Sequence, residues 1–94
     1  MPFVQQTVRA FTRENVEAIT PGQIGVYGLF KAGVWIYIGR GDIRTRLLSH
    51  LNGDNPCITR QGATHWVDEV TSDDVNREVQ LLGEIATTCN QRVG

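Results

Sequence analysis

Ile24-Gly25-Val26-Tyr27-Gly28-Leu29-Phe30, then Lys31-Ala32-Gly33, then Val34-Trp35-Ile36-Tyr37-Ile38 is the stretch on which the fold turns. Two runs rich in β-branched and aromatic residues flank a tripeptide ending in glycine, which supplies the positive φ a tight turn needs, so the pattern predicts a β-hairpin. With Lys31 to Gly33 as a three-residue loop, Phe30 faces Val34. Counting back by twos then sets Tyr27 opposite Tyr37, two phenols on one face with Leu29 and Trp35. Val26, Phe30, Val34, Ile36 and Ile38 supply apolar surface, mostly on the other side. A two-residue loop would separate the tyrosines.

Upstream, Thr12 before Arg13-Glu14-Asn15-Val16-Glu17-Ala18-Ile19 reads as a capped helix stopped by Pro21 and Gly22. Downstream, Gly39-Arg40-Gly41 breaks the strand. Asp42 can cap a helix from about Ile43 to Leu51, whose Ile43, Leu47 and Leu51 follow helical spacing and whose Arg46 and His50 share an edge. Asn52-Gly53-Asp54-Asn55-Pro56 is dense in turn formers, and the chain to Gly62 reads as an exposed loop. His65 to Val70 has strand character. Ser72-Asp73-Asp74 opens a last helix running to about Ile85 with the apolar stripe Val75, Val79, Leu82 and Ile85. Glu78 lies within that stripe, so its carboxylate points toward the core side and needs a partner or a metal. The order helix, strand, strand, helix, strand, helix implies an α+β layer of short antiparallel strands flanked by helices.

The 94 residues, 40% hydrophobic and 20% charged, fit one soluble domain and exclude a disordered chain. No apolar run approaches the roughly 20 residues that span a bilayer, and Met1 to Ala10 lacks a signal core, so a cytoplasmic location is expected. Cys57 and Cys89 are far apart in sequence and are expected to be reduced packing residues. Their spacing with His65 does not suggest zinc. The net charge of −1 argues against nucleic-acid binding over the whole surface. Its distribution leaves room for a local basic face, because Arg40, Arg44 and Arg46 cluster while the acids gather later, from Asp68 to Glu84.

Gly25-Val26-Tyr27 followed by Tyr37-Ile38-Gly39, with Arg46 in the next helix, Glu78 in the last and Asn90 beyond it, resembles the pattern of the GIY-YIG nuclease family. The likeness spans Gly25 to Asn90, with Val in place of Ile in the first tripeptide and a short intervening loop. It implies a three-stranded antiparallel sheet with flanking helices and one nuclease domain over residues 1–94, its motif-bearing core at 24–90. The implied activity is that of an endonuclease hydrolysing DNA phosphodiesters by water in one step with a divalent cation. Tyr27, Tyr37, Arg46 and Glu78 match the family's site, Glu78 holding Mg²⁺ or Mn²⁺. Arg40, Arg44, His50 and Asn90 are candidates for the nucleic-acid side. RNA is an alternative substrate, and a homodimer on the substrate or a targeting partner would supply what one small domain lacks.

The chemistry is intelligible from the residue types. Water attacks phosphorus poorly unless a base takes its proton and the growing charge is neutralised. Tyr27 is the candidate base or water-positioning group; with an ordinary phenol pKa near ~10 it needs help, which Arg40 and Arg46 could give by favouring the phenolate. Arg46 offers a planar fork to a phosphoryl oxygen, and Tyr37 would orient substrate or water. A lone carboxylate at Glu78 suits Mg²⁺, which keeps several waters; the bland alternative is a salt bridge to Arg46 or Arg40. His50 serves either as a phosphate contact or proton relay, or as a structural hydrogen bonder. Trp35 and Trp66 either stack on bases or fill the core. Two other functions compete: a non-catalytic nucleic-acid-binding or regulatory module on the same fold, and an anion site at Gly39-Arg40-Gly41-Asp42. The latter lacks a phosphate-loop lysine.

Overall fold

The computed structural model describes residues 8–90; the ends of the predicted domain, 1–7 and 91–94, lie outside the described residues. In chain order the elements are β1 (Arg9–Ala10), α1 (Arg13–Glu17), β2 (Ile24–Lys31), β3 (Val34–Asp42), α2 (Ile43–Leu51), α3 (Pro56–Gln61), β4 (His65–Val70) and α4 (Asp74–Glu84). The strands form one antiparallel sheet in the order β1-β4-β2-β3. It has four strands rather than three, because Arg9 and Ala10 pair with Trp66 and His65. A strand of two residues carries no periodicity that a sequence could display.

Central β2 is buried continuously from Gly25 to Leu29 because helices cover both faces of the sheet. On one face Tyr27, Leu29, Ile36 and Trp66 pack with Val16 and Ile19 around α1, Ile43 and Leu47 of α2, and Ile58 of α3. On the other, Val26, Ile38 and Val67 pack against Leu81 of α4 and Ile85 just beyond it. Each fully buried aliphatic side chain contributes about 1.5–3 kcal/mol, so the two half-cores together clamp the sheet.

The hairpin differs from expectation in two compensating ways. Its turn is the two-residue Ala32-Gly33, with φ of 49° and 79°, and Lys31 pairs with Val34. Farther along, Phe30 pairs with Trp35 but Leu29 with Tyr37, leaving Ile36 as the extra residue of a β-bulge. A turn shortened by one residue alone would flip the face of every side chain on β3; the inserted residue restores the parity. Tyr27 therefore faces Gly39, not Tyr37. The two tyrosines remain on one face as diagonal neighbours, ring centroids 6.3 Å apart. Trp35 moves to the opposite face beside Phe30, at 5.2 Å, and Ile36 joins the tyrosine side.

β3 does not break at Gly39 but continues to Asp42, because β2 offers partners that far: Gly25 pairs with Gly41 and Ile24 with Asp42. The Asp42 carboxylate then caps α2 by accepting from Thr45 N at 3.1 Å, and also accepts from Gly22 N at 3.0 Å. The segment read as an exposed loop contains α3. Asn55 accepts from Cys57 N and Ile58 N, Pro56 sits in the first turn and Gly62 closes the helix at φ 69°. Those capping signals were present in the sequence, but a helix of six residues is too short for an apolar stripe to reveal it.

On α4 the stripe is rotated by about one residue from the expected one. Val75, Val79 and Leu82 are 51%, 66% and 37% exposed, whereas Leu81 and Ile85 are buried. Two apolar series run along this helix, and periodicity cannot choose between their phases; docking on Val26, Ile38 and Val67 does. Arg77 locks the choice by gripping Glu69 of β4 with two bonds of 2.8 and 3.1 Å.

Cys57 and Cys89, expected to be free thiols, form a disulfide. It moors the chain after α4 along the outer edge of β3, where Thr88 N bonds Trp35 O at 3.2 Å and Cys89 N bonds Ile36 O at 2.7 Å. An edge strand that would otherwise offer unpaired backbone groups is thereby covered. Among the described residues no helix is long and apolar enough to cross a membrane.

Candidate active site

The glycines of the two tripeptides are spacers for close approach. A side-chain carbon on Gly25 would collide with Glu69 O and come within 2.9 Å of Val70 Cα on β4. One on Gly39 would strike the Tyr27 hydroxyl and sit 2.8 Å from Tyr37 Cε2. Gly39 thus makes the hole into which the Tyr27 ring fits, across the strand pair that the bulge has set in register.

Tyr27 from β2, Tyr37 and Arg40 from β3, Arg46 from α2 and Glu78 from α4 line one open cleft of about 320 Å³. Four elements from both faces of the sheet meet there at the β3 edge. The four core residues expected from the sequence, Tyr27, Tyr37, Arg46 and Glu78, are therefore brought together, with Arg40 beside them.

At the floor of the cleft, the Tyr27 hydroxyl is 2.7 Å from His50 Nε2, and His50 Nδ1 is 2.7 Å from Asp54 Oδ1. A carboxylate only accepts, so Nδ1 carries the proton, Nε2 is an acceptor and Tyr27 donates to it. Burial raises the Tyr27 pKa well above the ordinary phenol value, Tyr37 adds to the rise, and Arg46 opposes it. Arginines were expected to favour the phenolate, but loss of water around the oxygen outweighs Arg46, and Arg40 is engaged elsewhere. Burial likewise depresses the His50 pKa; Asp54 pulls it upward and Arg46 lowers it further. His50 is thus a neutral imidazole at ordinary pH.

On the opposite wall, Arg40 lies 3.4 Å from Asp74 and 3.6 Å from Glu78, joining two acids one turn apart on α4. Among the described residues no group of three or more His, Cys, Asp or Glu side chains is placed to enclose a metal. What the cleft offers is one partly exposed carboxylate, Glu78, facing open volume and two phenols. That donor set fits Mg²⁺, a hard ion that retains water and takes phosphate oxygens as further ligands. The salt bridge from Arg40 engages Glu78 here.

Other candidates lie outside the cleft. Arg44 points to α1, its Nε 3.5 Å from Glu17 O. His50 is buried behind Tyr27 and does not line the cleft, which favours the relay or structural reading over a phosphate contact. Asn90 accepts from Ile38 N at 2.7 Å and donates to Ile38 O at 2.9 Å, pinning the strand residue between Tyr37 and Gly39. Trp66 is fully buried and donates to Asp68 at 2.8 Å, so it cannot stack on a base. Sequence reading missed Asp54 and Asp74. Asp74 lies one helical turn before Glu78 on α4, a spacing that only matters once that helix is granted, whereas Asp54 sits in the turn beyond α2 and reaches back to His50.

The antiparallel sheet between helices, with the two tripeptides paired on adjacent strands, is the fold seen in GIY-YIG endonuclease domains. Among solved structures the chain is similar to the GIY-YIG N-terminal endonuclease domain of UvrC from Thermotoga maritima. A tyrosine-to-phenylalanine variant of that domain, bound to its catalytic divalent cation, superposes with a TM-score of 0.73 at 27% identity, covering 85% of this chain and 94% of that one. The magnesium-bound form gives a TM-score of 0.72 at 25% identity, covering 84% and 96%. No protein-family model and no curated protein matches the chain.

Proposed function

We propose that this domain is a divalent-metal-dependent endonuclease that hydrolyses phosphodiester bonds in DNA. The observation carrying the reading is the convergence of Tyr27, Tyr37, Arg46 and Glu78 on one cleft in a fold shared with endonuclease domains that bind a catalytic divalent cation. Tyr27 takes a proton from the attacking water as it passes its own to His50 Nε2, so a high phenol pKa is no obstacle: no free phenolate accumulates. The new bond to phosphorus forms as the bond to the leaving oxygen breaks. Tyr37, half-buried at the cleft wall, orients the water or the phosphate. Arg46 presents its fork to a nonbridging oxygen, where charge grows in the transition state.

Glu78 would hold Mg²⁺ or Mn²⁺, which supplies charge neutralisation at the nonbridging and leaving oxygens. Arg40 must release Glu78 for this, and its guanidinium is then free for a neighbouring phosphate. One domain with one cleft nicks one strand, so cutting both requires two copies on the substrate or a partner. The test is cleavage of supercoiled plasmid and branched DNA, with an RNA of matched sequence, in Mg²⁺, Mn²⁺ or EDTA. Tyr27→Phe, Arg46→Ala and Glu78→Ala run alongside. Metal-dependent nicking lost by all three folded variants supports the reading; binding without cleavage under every condition replaces it with a non-catalytic nucleic-acid module.

A further inference from the structure

Asp54 does not itself line the cleft; its Oδ2 lies 4.0 Å from Arg46 Nη2, and through Oδ1 it ends the hydrogen-bond chain behind Tyr27. We propose that Asp54 is a positioning residue for the Tyr27 to His50 proton transfer, its carboxylate holding the imidazole in the Nδ1–H tautomer. The inference rests on the nuclease reading above and deepens it.

The geometry carries the argument. Both contacts, Tyr27 hydroxyl to Nε2 and Nδ1 to Asp54 Oδ1, are 2.7 Å. The imidazole also meets the Tyr37 ring edge-on at 5.2 Å, so it cannot rotate to a different pairing without displacing a tyrosine. Asp54 is itself fixed from both sides. Gly53 N bonds His50 O at 3.1 Å and Asp54 N bonds Ser49 O at 3.2 Å, wrapping the turn back on the end of α2. The next residue, Asn55, caps α3. With its side chain 35% exposed, Asp54 also places the far end of the chain at solvent, where a proton collected at His50 can leave.

Without the carboxylate, nothing in this arrangement selects the tautomer. An imidazole protonated at Nε2 would donate to the Tyr27 oxygen, and Tyr27 would have no acceptor for its own proton; the transfer would be blocked with every residue still in place. Asparagine at position 54 is the sharp probe, because its amide nitrogen can donate to Nδ1 and stabilise the wrong tautomer at nearly constant shape. The titratable and charged groups facing His50 are Tyr27 from β2, Tyr37 from β3, Arg46 from its own helix and Asp54 from the turn.

Two measurements test this on the full chain. Imidazole ¹⁵N NMR of the metal-free, DNA-free protein at neutral pH reads the tautomer directly; the expectation is Nδ1–H in the wild type and a shift toward Nε2–H in Asp54→Asn. Single-turnover plasmid nicking against pH reads the consequence. Asp54→Asn and Asp54→Ala are expected to slow it on the order of 10- to 100-fold, with partial rescue in Asp54→Glu. The acid limb should move to lower pH, since losing the carboxylate makes His50 harder to protonate; a merely structural defect would lower the rate without moving that limb. An Nε2–H imidazole in the wild type, or an Asp54→Asn protein with unchanged tautomer and rate, overturns the proposal. If the wild type nicks nothing, the nuclease reading fails on its own test, and the NMR result alone decides whether Asp54 sets the tautomer.

Discussion

Reduction of the Cys57–Cys89 bond should cost this domain a large part of its stability. The bridged residues are 32 apart in sequence. Closing a loop of that length in the unfolded chain removes entropy equivalent to about 3.5–4 kcal/mol at 25 °C. For a domain of this size each kcal/mol shifts the melting temperature by roughly 4–8 °C, so a fall of roughly 15–30 °C is expected on reduction. The effect has a local side. Thr88, Cys89 and Asn90 make backbone or side-chain bonds to Trp35, Ile36 and Ile38 on the outer edge of β3. Untethering them uncovers the strand that carries Tyr37, so cleavage should decline before global unfolding. Circular-dichroism melts with and without dithiothreitol, with a Cys57→Ser/Cys89→Ser variant under both conditions and free-thiol counting by mass spectrometry, provide the assay. If the oxidised and reduced proteins melt within a few degrees of each other, or if the bond is absent from air-oxidised protein, the reasoning is wrong. The result also bears on the expected cytoplasmic location, because a reducing cytosol would keep the bond open.

Gly39→Ala should destabilise by about 1–3 kcal/mol in urea melts, since its methyl group meets the Tyr27 hydroxyl and the Tyr37 ring. It should also abolish nicking by moving both phenols; a normally active Gly39→Ala protein would refute the close-approach account. On α4, Leu81→Ala should cost about 2–5 kcal/mol while Val79→Ser changes stability by about 0.5 kcal/mol or less, a contrast the expected stripe would have reversed. Stability should fall on both sides of neutrality. The Tyr27 pKa is raised above 10.0, so its contribution is intact below that pH and is lost as pH rises toward the folded value. The His50 pKa is lowered below 6.5, so its contribution is present above that pH and lost as pH falls toward the folded value. Urea denaturation of the wild type, Tyr27→Phe and His50→Gln across pH tests this: the alkaline loss should shrink in the first variant and the acid loss in the second.

Much of the candidate site was legible in one dimension because its residues sit at fixed offsets within single elements. Gly25 and Tyr27 lie two apart on one strand, Tyr37 and Gly39 two apart on the next, and Arg46 follows an Asp42 cap that is itself readable. The α+β class, the hairpin and the ends of α2 and β4 follow from strand alternation, helix spacing and capping residues, all local preferences. What tertiary structure alone decided is how those elements are phased against each other. The register of Tyr27 against Gly39 required a bulge at Ile36, which no local propensity announces, and the rotation of α4 was settled by which of two apolar series met the sheet. The Asp54 to His50 to Tyr27 chain and the Arg40 bridge to Asp74 and Glu78 join residues whose distances depend on packing. So does the Cys57–Cys89 bond, which spans a gap that sequence spacing made look too wide. Sequence patterns carry the period of an element but not its partner, and a polar chain or a disulfide forms only where packing brings both ends within reach.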